Sequence, residues 1–393
     1  MTAISSRFKR ISESPTVQLT SLMAKMARDG VDVISLAAGQ PDFQTPSRVN
    51  NAAIRAIQEG YTKYTPVDGA YDLKQAIVHW IKAQRGVTYS TGDIVVTCGA
   101  KHAIYQSILA ICDPGDEILL PVPYWVSYPE QIKLGAGIAK PIAPLTNDLK
   151  ITADQIEKEI THKTKALILN SPANPSGAVY SKEELSKIAD VVHKYGIYVI
   201  SDEIYDKIVF DGKRYASMTA FDKIRDQLIY VNGVSKSFAM TGWRIGFLAA
   251  HRDIVNVVIK YQGHSTTNPS SISQKAAVEA YRAEPSVVKN MLETYQQRRD
   301  YASQRLGAIK KIICIRPQGA FYAFPDVSAY YNKTMGVTSS FKLCRYLLTK
   351  YGVAIVPGSA FGMDNHVRLS FAASMDVLEK ALDRIQTGLE SLS

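Results

Sequence analysis

The chain has 393 residues, of which 46% are hydrophobic and 21% are charged, and its formal net charge is +10. These are the values of a globular protein that is long enough for two domains. The basic residues are scattered and form no long run, so the charge favours anionic small molecules over nucleic acid. No apolar run approaches the roughly 18 residues of a membrane span.

The four cysteines form no CxxC pair and, like the histidines, show no metal-ligand spacing. In so large a chain we interpret these cysteines as reduced thiols in a reducing compartment. We therefore expect a cytoplasmic protein without a metal site.

Strands and helices alternate from about residue 91 to residue 250, which is the pattern of a doubly wound α/β sheet. The first unit is a strand over Asp93–Cys98, a turn at Gly99 and a helix that runs through Ala110. Free N–H groups and the helix dipole at Gly99, Ala100 and Lys101 suit a phosphate. A plain tight turn into a helix is the alternative.

A second apolar strand, Ala166–Leu169, ends in the polar turn Asn170–Gly177. Two X-Pro steps bar helix for the residues before them, so we expect Asn174 to be extended, with its amide free to reach a ligand. An ordinary turn is the alternative. Next in the chain, Ser181 and Glu184 predict a capping box at the start of a helix.

The apolar run Ile197–Ile200 lacks alternation, which predicts a buried parallel strand. Asp202 follows its carboxyl end, where α/β folds bind ligands. A buried carboxylate needs a partner, and a protonated pyridine nitrogen would be one. Tyr205 would then donate to a phenolate oxygen of the same ligand. A helix N-cap is the alternative for Asp202.

The apolar strand Leu228–Val231 leads to Lys236, which small residues flank, and Arg244 follows eight positions later. Small neighbours leave room for a planar cofactor, and desolvation frees the amine to attack an aldehyde. Arg244 can fork onto a phosphate. Pyridoxal 5'-phosphate offers both groups, so Lys236 is the predicted catalytic and cofactor-binding residue. Taken alone, the motif also fits a solvated surface lysine.

The last three clusters resemble, in order and spacing, those of the fold-type I pyridoxal-phosphate enzymes. The resemblance is closest to class I aminotransferases of the bacterial aspartate aminotransferase branch, and it covers nearly the whole chain. Further motifs that carry it are Ala38–Phe43, Tyr64–Pro66, Gly99–Lys101, Pro123–Pro129 and His366–Ser370.

The resemblance implies an α/β fold with a large domain over residues 46–289, built on a mostly parallel seven-stranded sheet between helices. It implies a smaller α+β domain formed by residues 1–45 with residues 290–393. In that part we predict short strands over Ala320–Phe324 and Val353–Val356 and a helix from Ser374. The first dozen residues are basic and serine-rich, as in a transit peptide, but the resemblance begins near Met1, so we expect no cleaved leader.

The resemblance also implies roles for individual residues. Gly99, Ala100 and Lys101 are expected at the cofactor phosphate. Trp125 would stack on the cofactor ring and contact the substrate, and Asn174 would contact both cofactor and substrate.

Three further residues take roles from the same resemblance. Tyr64 would reach the phosphate of the neighbouring subunit, which implies a homodimer. Gly39 would let the backbone approach the substrate, and Arg368 would hold its α-carboxylate with a planar fork.

Two positions depart from common family patterns. Many relatives have a hydroxyl residue three positions before the lysine, where this chain has Gly233, which leaves open whether Ser235 or Ser237 replaces it. Relatives that accept prephenate tend to have lysine where this chain has Ser12, so we expect prephenate to be a poor acceptor.

The expected activity is amino transfer between L-aspartate and 2-oxoglutarate by a ping-pong route, with Lys236 as general acid and base and Asp202 holding the ring nitrogen protonated. We expect amino acids and 2-oxo acids as partners, and neither nucleic acid nor membrane. The alternatives are an aromatic or other amino-acid aminotransferase, or a lyase of the same fold. A regulator that senses the cofactor would add a helix-turn-helix module, for which the matched length leaves no room. The sequence names no partner for the side-chain carboxylate.

Overall fold

The computed structural model describes residues 9, 11 and 15–392, with the backbone alone at residues 15–17 and 285. Its strands are β1 (Ile34–Ser35), β2 (Ile94–Thr97), β3 (Glu117–Pro121), β4 (Ile138–Ile142), β5 (Thr164–Asn170), β6 (Tyr198–Asp202), β7 (Leu228–Gly233), β8 (Gly246–Ala249), β9 (Tyr322–Ala323), β10 (Val353–Ala354), β11 (Val356–Pro357) and β12 (Val367–Ser370).

The longer helices are α1 (Pro15–Arg28), α2 (Ser47–Gln58), α3 (Tyr71–Arg85), α4 (Ala100–Ile111), α5 (Tyr128–Leu134), α6 (Ala153–Glu159), α7 (Lys182–Tyr195), α8 (Arg252–Gly263), α9 (Ser271–Tyr281), α10 (Pro285–Ala308), α11 (Ser340–Tyr351) and α12 (Met375–Glu390). No helix in this described part of the chain has the length and apolar character needed to cross a membrane.

A seven-stranded sheet forms the centre of the fold, in the order β2-β8-β7-β6-β5-β3-β4. Neighbouring strands from β4 to β7 run parallel, whereas β8 is antiparallel to both β7 and β2. The mostly parallel sheet expected from the sequence is therefore confirmed. Every residue of β7 is buried, as is typical of strands that helices cover on both faces.

Local signals explain the helix ends near the site. Ser181 accepts a hydrogen bond from the N–H of Glu184 in the predicted capping box, which starts α7. Gly99 precedes α4 with a φ of 87°, a conformation that glycine tolerates best. Ser374 caps α12 as predicted.

The segment that contains β1 lies against the last part of the chain. Strand β1 pairs in parallel with β10, and β11, β12 and β9 form a small antiparallel sheet. The predicted strands over Ala320–Phe324 and Val353–Val356 are present in shorter form, the second divided between β10 and β11. The 24-residue helix α10 leads into this region.

Candidate active site

A cavity of about 580 Å³ opens where β5, β6 and β7 end. The sheet register pairs Asn170 with Asp202 and Asp202 with Val231, so the polar residues that end these strands meet at one edge. The volume is typical of a small-molecule site. Most of the predicted site residues line this cavity: Gly39, Ala100, Lys101, Trp125, Asn174, Asp202, Tyr205, Lys236, Arg244 and Arg368.

An anion cradle forms one end of the cavity, at the start of α4. No side chain caps the first N–H groups of this helix. The Arg244 guanidinium donates to the carbonyls of Thr241 at 2.9 Å and Cys98 at 3.3 Å. A Cβ on Gly99 would overlap this guanidinium, so glycine is what lets the arginine lie against the turn. The helix dipole and the guanidinium therefore converge on one point.

Asp202 lies buried at the end of β6. Its Oδ2 accepts a hydrogen bond from the Tyr128 hydroxyl at 2.7 Å, and its Oδ1 accepts one from the Ile204 N–H at 3.2 Å. Burial raises the pKa of Asp202 to about 6, although both hydrogen bonds and the charge of Lys236 oppose this shift. A cationic ligand group would restore the ionised form.

Lys236 follows β7 and reaches into the same cavity. Burial is the main reason that its pKa falls to about 8, and the charges of Arg368 and Arg244 lower it further. Its Nζ donates a hydrogen bond to the Gly39 carbonyl. A much larger fraction of this amine is therefore neutral and nucleophilic near physiological pH than of an ordinary lysine.

Arg368 marks the opposite end of the cavity, on β12. Its guanidinium donates to Asn174 Oδ1 at 3.0 Å and to the Ala37 carbonyl at 2.6 Å. Its buried Nε has no hydrogen-bond partner among the described residues. Burial lowers the pKa of Arg368. A buried guanidinium with donors to spare is suited to a carboxylate.

Lys101 provides another cation in the cavity wall. Its Nζ lies 4.8 Å from the centroid of the Trp125 ring. Burial, followed by the charge of Arg244, lowers the pKa of Lys101. With Lys236, Arg244 and Arg368, it makes the cavity strongly favourable for a ligand with more than one negative charge.

Two tyrosines of the site escaped the sequence analysis. Tyr128 lies within the quoted Pro123–Pro129 motif, but only the fold brings its hydroxyl to Asp202. Tyr322 lies in β9, and its hydroxyl is 2.8 Å from that of Tyr205. Helix α1 adds further unpredicted residues to the cavity lining: Leu19, Thr20 and Met23.

Other predicted residues lie elsewhere. Tyr64 is 88% exposed and does not line the cavity, and Gly99 lies behind Arg244. Ser12 lies outside the described residues, so its expected effect on prephenate stays a prediction. Among the described residues, no group of three His, Cys, Asp or Glu side chains is arranged to hold a metal ion.

The missing hydroxyl at Gly233 has a packing explanation. A Cβ there would come within 2.9 Å of both Gly246 Cα and the Ile245 carbonyl, because β7 and β8 pair tightly at this point. A serine or threonine would force the strands apart. Ser235 lines the cavity, whereas Ser237 does not and its buried Oγ has no partner among the described residues.

The sheet topology and the cavity define an α/β protein in which a desolvated lysine, Lys236, shares one cavity with the cationic side chains of Arg244 and Arg368. Residues 31–385 match the family model described as aminotransferase class I and II. The chain belongs to this family.

Named relatives cover nearly all of the chain. An aspartate aminotransferase of Bacillus sp. (strain YM-2) is 43% identical over 97% of this chain and 98% of its own length. An aspartate/prephenate aminotransferase of Nitrosomonas europaea is 40% identical over 97% of this chain and 98% of its own length. The crystal structure of the aspartate aminotransferase from Rhizobium meliloti superposes with a TM-score of 0.96 at 37% identity, and covers 100% of both chains.

Proposed function

We propose that this protein is a pyridoxal-phosphate-dependent aminotransferase that moves the amino group between L-aspartate and 2-oxoglutarate. The observation that carries the proposal is the desolvated Lys236 amine, which shares one cavity with buried Asp202 and buried Arg368. Family membership and the relatives named as aspartate aminotransferases support the same activity.

The cavity fits this cofactor in three respects. The uncapped start of α4 and Arg244 form a cradle for the phosphate, and the hydroxyl residues Ser235 and Thr241 line the same cavity. Asp202 accepts its hydrogen bonds from neutral donors, and a protonated ring nitrogen would supply a directly paired cation. The aromatic face of Trp125 borders the same space.

When bound, the cofactor supplies an electron sink for the substrate α-carbon. Lys236 would hold it through its amine and would carry the proton to and from that carbon as general acid and base. Asp202 would keep the ring nitrogen charged. Tyr205 would donate to the phenolate oxygen, and the Asn174 amide would contact cofactor and substrate.

Two cations divide the recognition of an acidic substrate. Arg368 binds the α-carboxylate, with its orientation fixed by Asn174 and the Ala37 carbonyl. Lys101 keeps its expected place at the phosphate through its backbone N–H at the start of α4. We assign its Nζ to the side-chain carboxylate, because Arg244 serves the phosphate and Lys236 the cofactor aldehyde. The apolar side of α1, with Leu19 and Met23, excludes water from this space.

The assembly and domains are also proposals. We propose a homodimer in which Tyr64 reaches the phosphate site of the other subunit. Its exposure supports this, as does the exposure of Ile54, Ile57 and Tyr71 nearby in sequence. We further propose a cytoplasmic protein that has a large domain over residues 46–289 and a small domain formed by residues 1–45 with 290–393. The pairing of β1 with β10 supports this grouping, and the second boundary falls inside α10.

A substrate screen tests the activity. With 2-oxoglutarate as acceptor, kcat/KM should be highest for aspartate and lower for phenylalanine and alanine. Prephenate should be a poor acceptor beside oxaloacetate. A tenfold preference for phenylalanine, or equal use of prephenate, contradicts the specificity but not the transaminase assignment. No amino transfer with any of these amino acids contradicts the proposed function itself.

A further inference from the structure

We propose that Tyr322 is a positioning residue that sets the hydrogen-bond direction of Tyr205 and, through it, the proton affinity of the lysine-bound cofactor. This inference rests on the proposed function, since it needs a ligand oxygen opposite Tyr205. Tyr322 was not among the residues predicted from the sequence.

Tyr322 contacts three parts of the site. Its hydroxyl lies 2.8 Å from the Tyr205 hydroxyl, with both side chains buried. The same hydroxyl is 2.8 Å from the point where a Cβ on Gly39 would stand. The Arg368 guanidinium carbon lies 4.5 Å from the centroid of the Tyr322 ring. Tyr322 therefore lies between the substrate end of the cavity and the cofactor end.

The number of protons fixes the direction of the hydrogen bond. Each tyrosine hydroxyl carries one proton and accepts through its oxygen. With no ligand, either tyrosine can donate to the other. Once Tyr205 donates to the phenolate oxygen of the cofactor, its proton is committed. Tyr322 then has to donate to Tyr205, and the two hydroxyls form a chain that points toward the cofactor.

In such a chain, the hydrogen bond that Tyr205 donates to the phenolate oxygen becomes stronger. A hydroxyl that accepts a hydrogen bond becomes a better donor, by roughly 10–30% per bond in condensed-phase estimates. Tyr205 would thus draw more electron density from the phenolate oxygen. A less electron-rich phenolate holds the neighbouring nitrogen's proton less firmly. Removal of the Tyr322 hydroxyl should therefore raise the pH at which the lysine-bound cofactor loses this proton.

The test is a pH titration of the visible absorbance of the cofactor-loaded enzyme without substrate. We expect Tyr205→Phe to raise the titration midpoint, and Tyr322→Phe to raise it by a smaller amount, about 0.2–0.6 pH unit. In the Tyr205→Phe background, Tyr322→Phe should have no further effect, because it acts through Tyr205.

A matched control is available in the same aromatic cluster. Tyr295 is buried against Phe321, and its hydroxyl has no hydrogen-bond partner among the described residues. Tyr295→Phe should leave the midpoint unchanged. An equal shift in this control would overturn the inference, since any lost buried hydroxyl would then suffice.

A second variant, which keeps the hydroxyl at position 322, tests the inference even if Tyr322→Phe does not fold. A ring-fluorinated tyrosine at position 322 is a stronger donor and should lower the midpoint. An unchanged midpoint at position 322 alongside a raised one in Tyr205→Phe overturns this inference alone. If the wild-type enzyme forms no lysine-bound cofactor band, the proposed function fails together with this inference. If Tyr205→Phe leaves the midpoint unchanged, the inference fails together with the role assigned to Tyr205, but the aminotransferase assignment does not.

Discussion

The turn from Asp202 to Asp206 carries acidic side chains on two faces, and the groups that contact these side chains differ between the faces. On the face away from the cavity, Asp206 forms an ion pair with Arg85, and their side chains are 0% and 8% exposed. Glu203 accepts hydrogen bonds from the hydroxyls of Ser201 and Ser217. On the cavity face, the donors to Asp202 among the described residues are neutral: the Tyr128 hydroxyl and the Ile204 N–H. Asp206 thus has a buried cation as its partner, whereas Asp202 has neutral donors and faces an open cavity.

The difference is visible in the ionisation of the cavity residues. Burial raises the pKa of Asp202 to about 6 and lowers that of Lys236 to about 8. Both shifts disfavour the charged form, because nothing in the cavity fully replaces water. The cavity face therefore destabilises the ligand-free protein, and a ligand of matching charge relieves this. On the opposite face, burial also raises the pKa of Glu203, but there the Arg85 guanidinium lies beside the Asp206 carboxylate.

The largest effect is expected from a substitution on the cavity face. Lys236→Ala should lower kcat by a factor of about 10⁴ or more, because it removes both the attachment point and the proton carrier. Cofactor should still bind through its phosphate. Borohydride treatment of the loaded wild-type enzyme should leave a cofactor-derived group on the peptide that contains Lys236. Labelling at Lys101 or Lys207 instead would show that another lysine forms the bond.

The next largest effect, on the stability of the fold, is expected from a substitution on the opposite face. Arg85→Met should destabilise the fold by about 3–5 kcal/mol, because it leaves the buried Asp206 carboxylate without its cation. Urea unfolding at fixed protein and cofactor concentration measures this as a lower midpoint.

A double variant controls for the loss of packing around Arg85. Arg85→Met with Asp206→Leu should recover most of the loss, since no buried charge is then left unpaired. If the free energy of unfolding of Arg85→Met lies within about 1 kcal/mol of the wild-type value, this ion pair does not set the stability of the turn.

The two faces also differ in how far the sequence revealed them. Asp202 and Lys236 were found because each follows a recognisable apolar strand. The Tyr128 partner of Asp202 and the Arg85–Asp206 ion pair were not predicted, because these contacts join distant positions. Tyr128 is 74 residues from Asp202, and Arg85 is 121 residues from Asp206. Local periodicity predicts where a strand ends but not which side chain the fold brings to its end.

The sequence alone also did not reveal the effects of tertiary packing. Glycine at position 233 was noticed as a departure from a family pattern, but its cause is the close pairing of β7 with β8. The short strands of the C-terminal region were predicted too long, because Ile355 separates β10 from β11. In both cases the missing information was tertiary.

A smaller effect concerns the stability of the cofactor-free protein, in which the buried charge of Lys236 has no ligand to pair with. The unfolded pKa of lysine is 10.5, and the folded value for Lys236 is about 8. The folded state therefore loses stability as pH falls from 10.5 through 8, and the loss is complete below that range. Lys236→Met should stabilise the cofactor-free protein at neutral pH by on the order of 3 kcal/mol.

Thermal melting of cofactor-free protein at a series of pH values measures this. The advantage of Lys236→Met should shrink above pH 8 and vanish above about 10.5. The same change at exposed Lys289 serves as a control and should show no such dependence. A pH-independent gain for Lys236→Met would point to packing rather than to a desolvated charge.

The smallest effect separates the two substrate-binding cations. Arg368→Lys keeps the charge but replaces a planar fork with a point charge, so it should lose about 1.5–3 kcal/mol of binding to the α-carboxylate. That corresponds to about a 10- to 150-fold lower kcat/KM. Every amino acid has an α-carboxylate, so aspartate, alanine and phenylalanine should suffer alike in single-turnover measurements. Lys101→Gln should instead weaken aspartate and glutamate while sparing alanine. If Arg368→Lys impaired aspartate alone, the two cations would have to exchange roles, and Arg368 would bind the side-chain carboxylate.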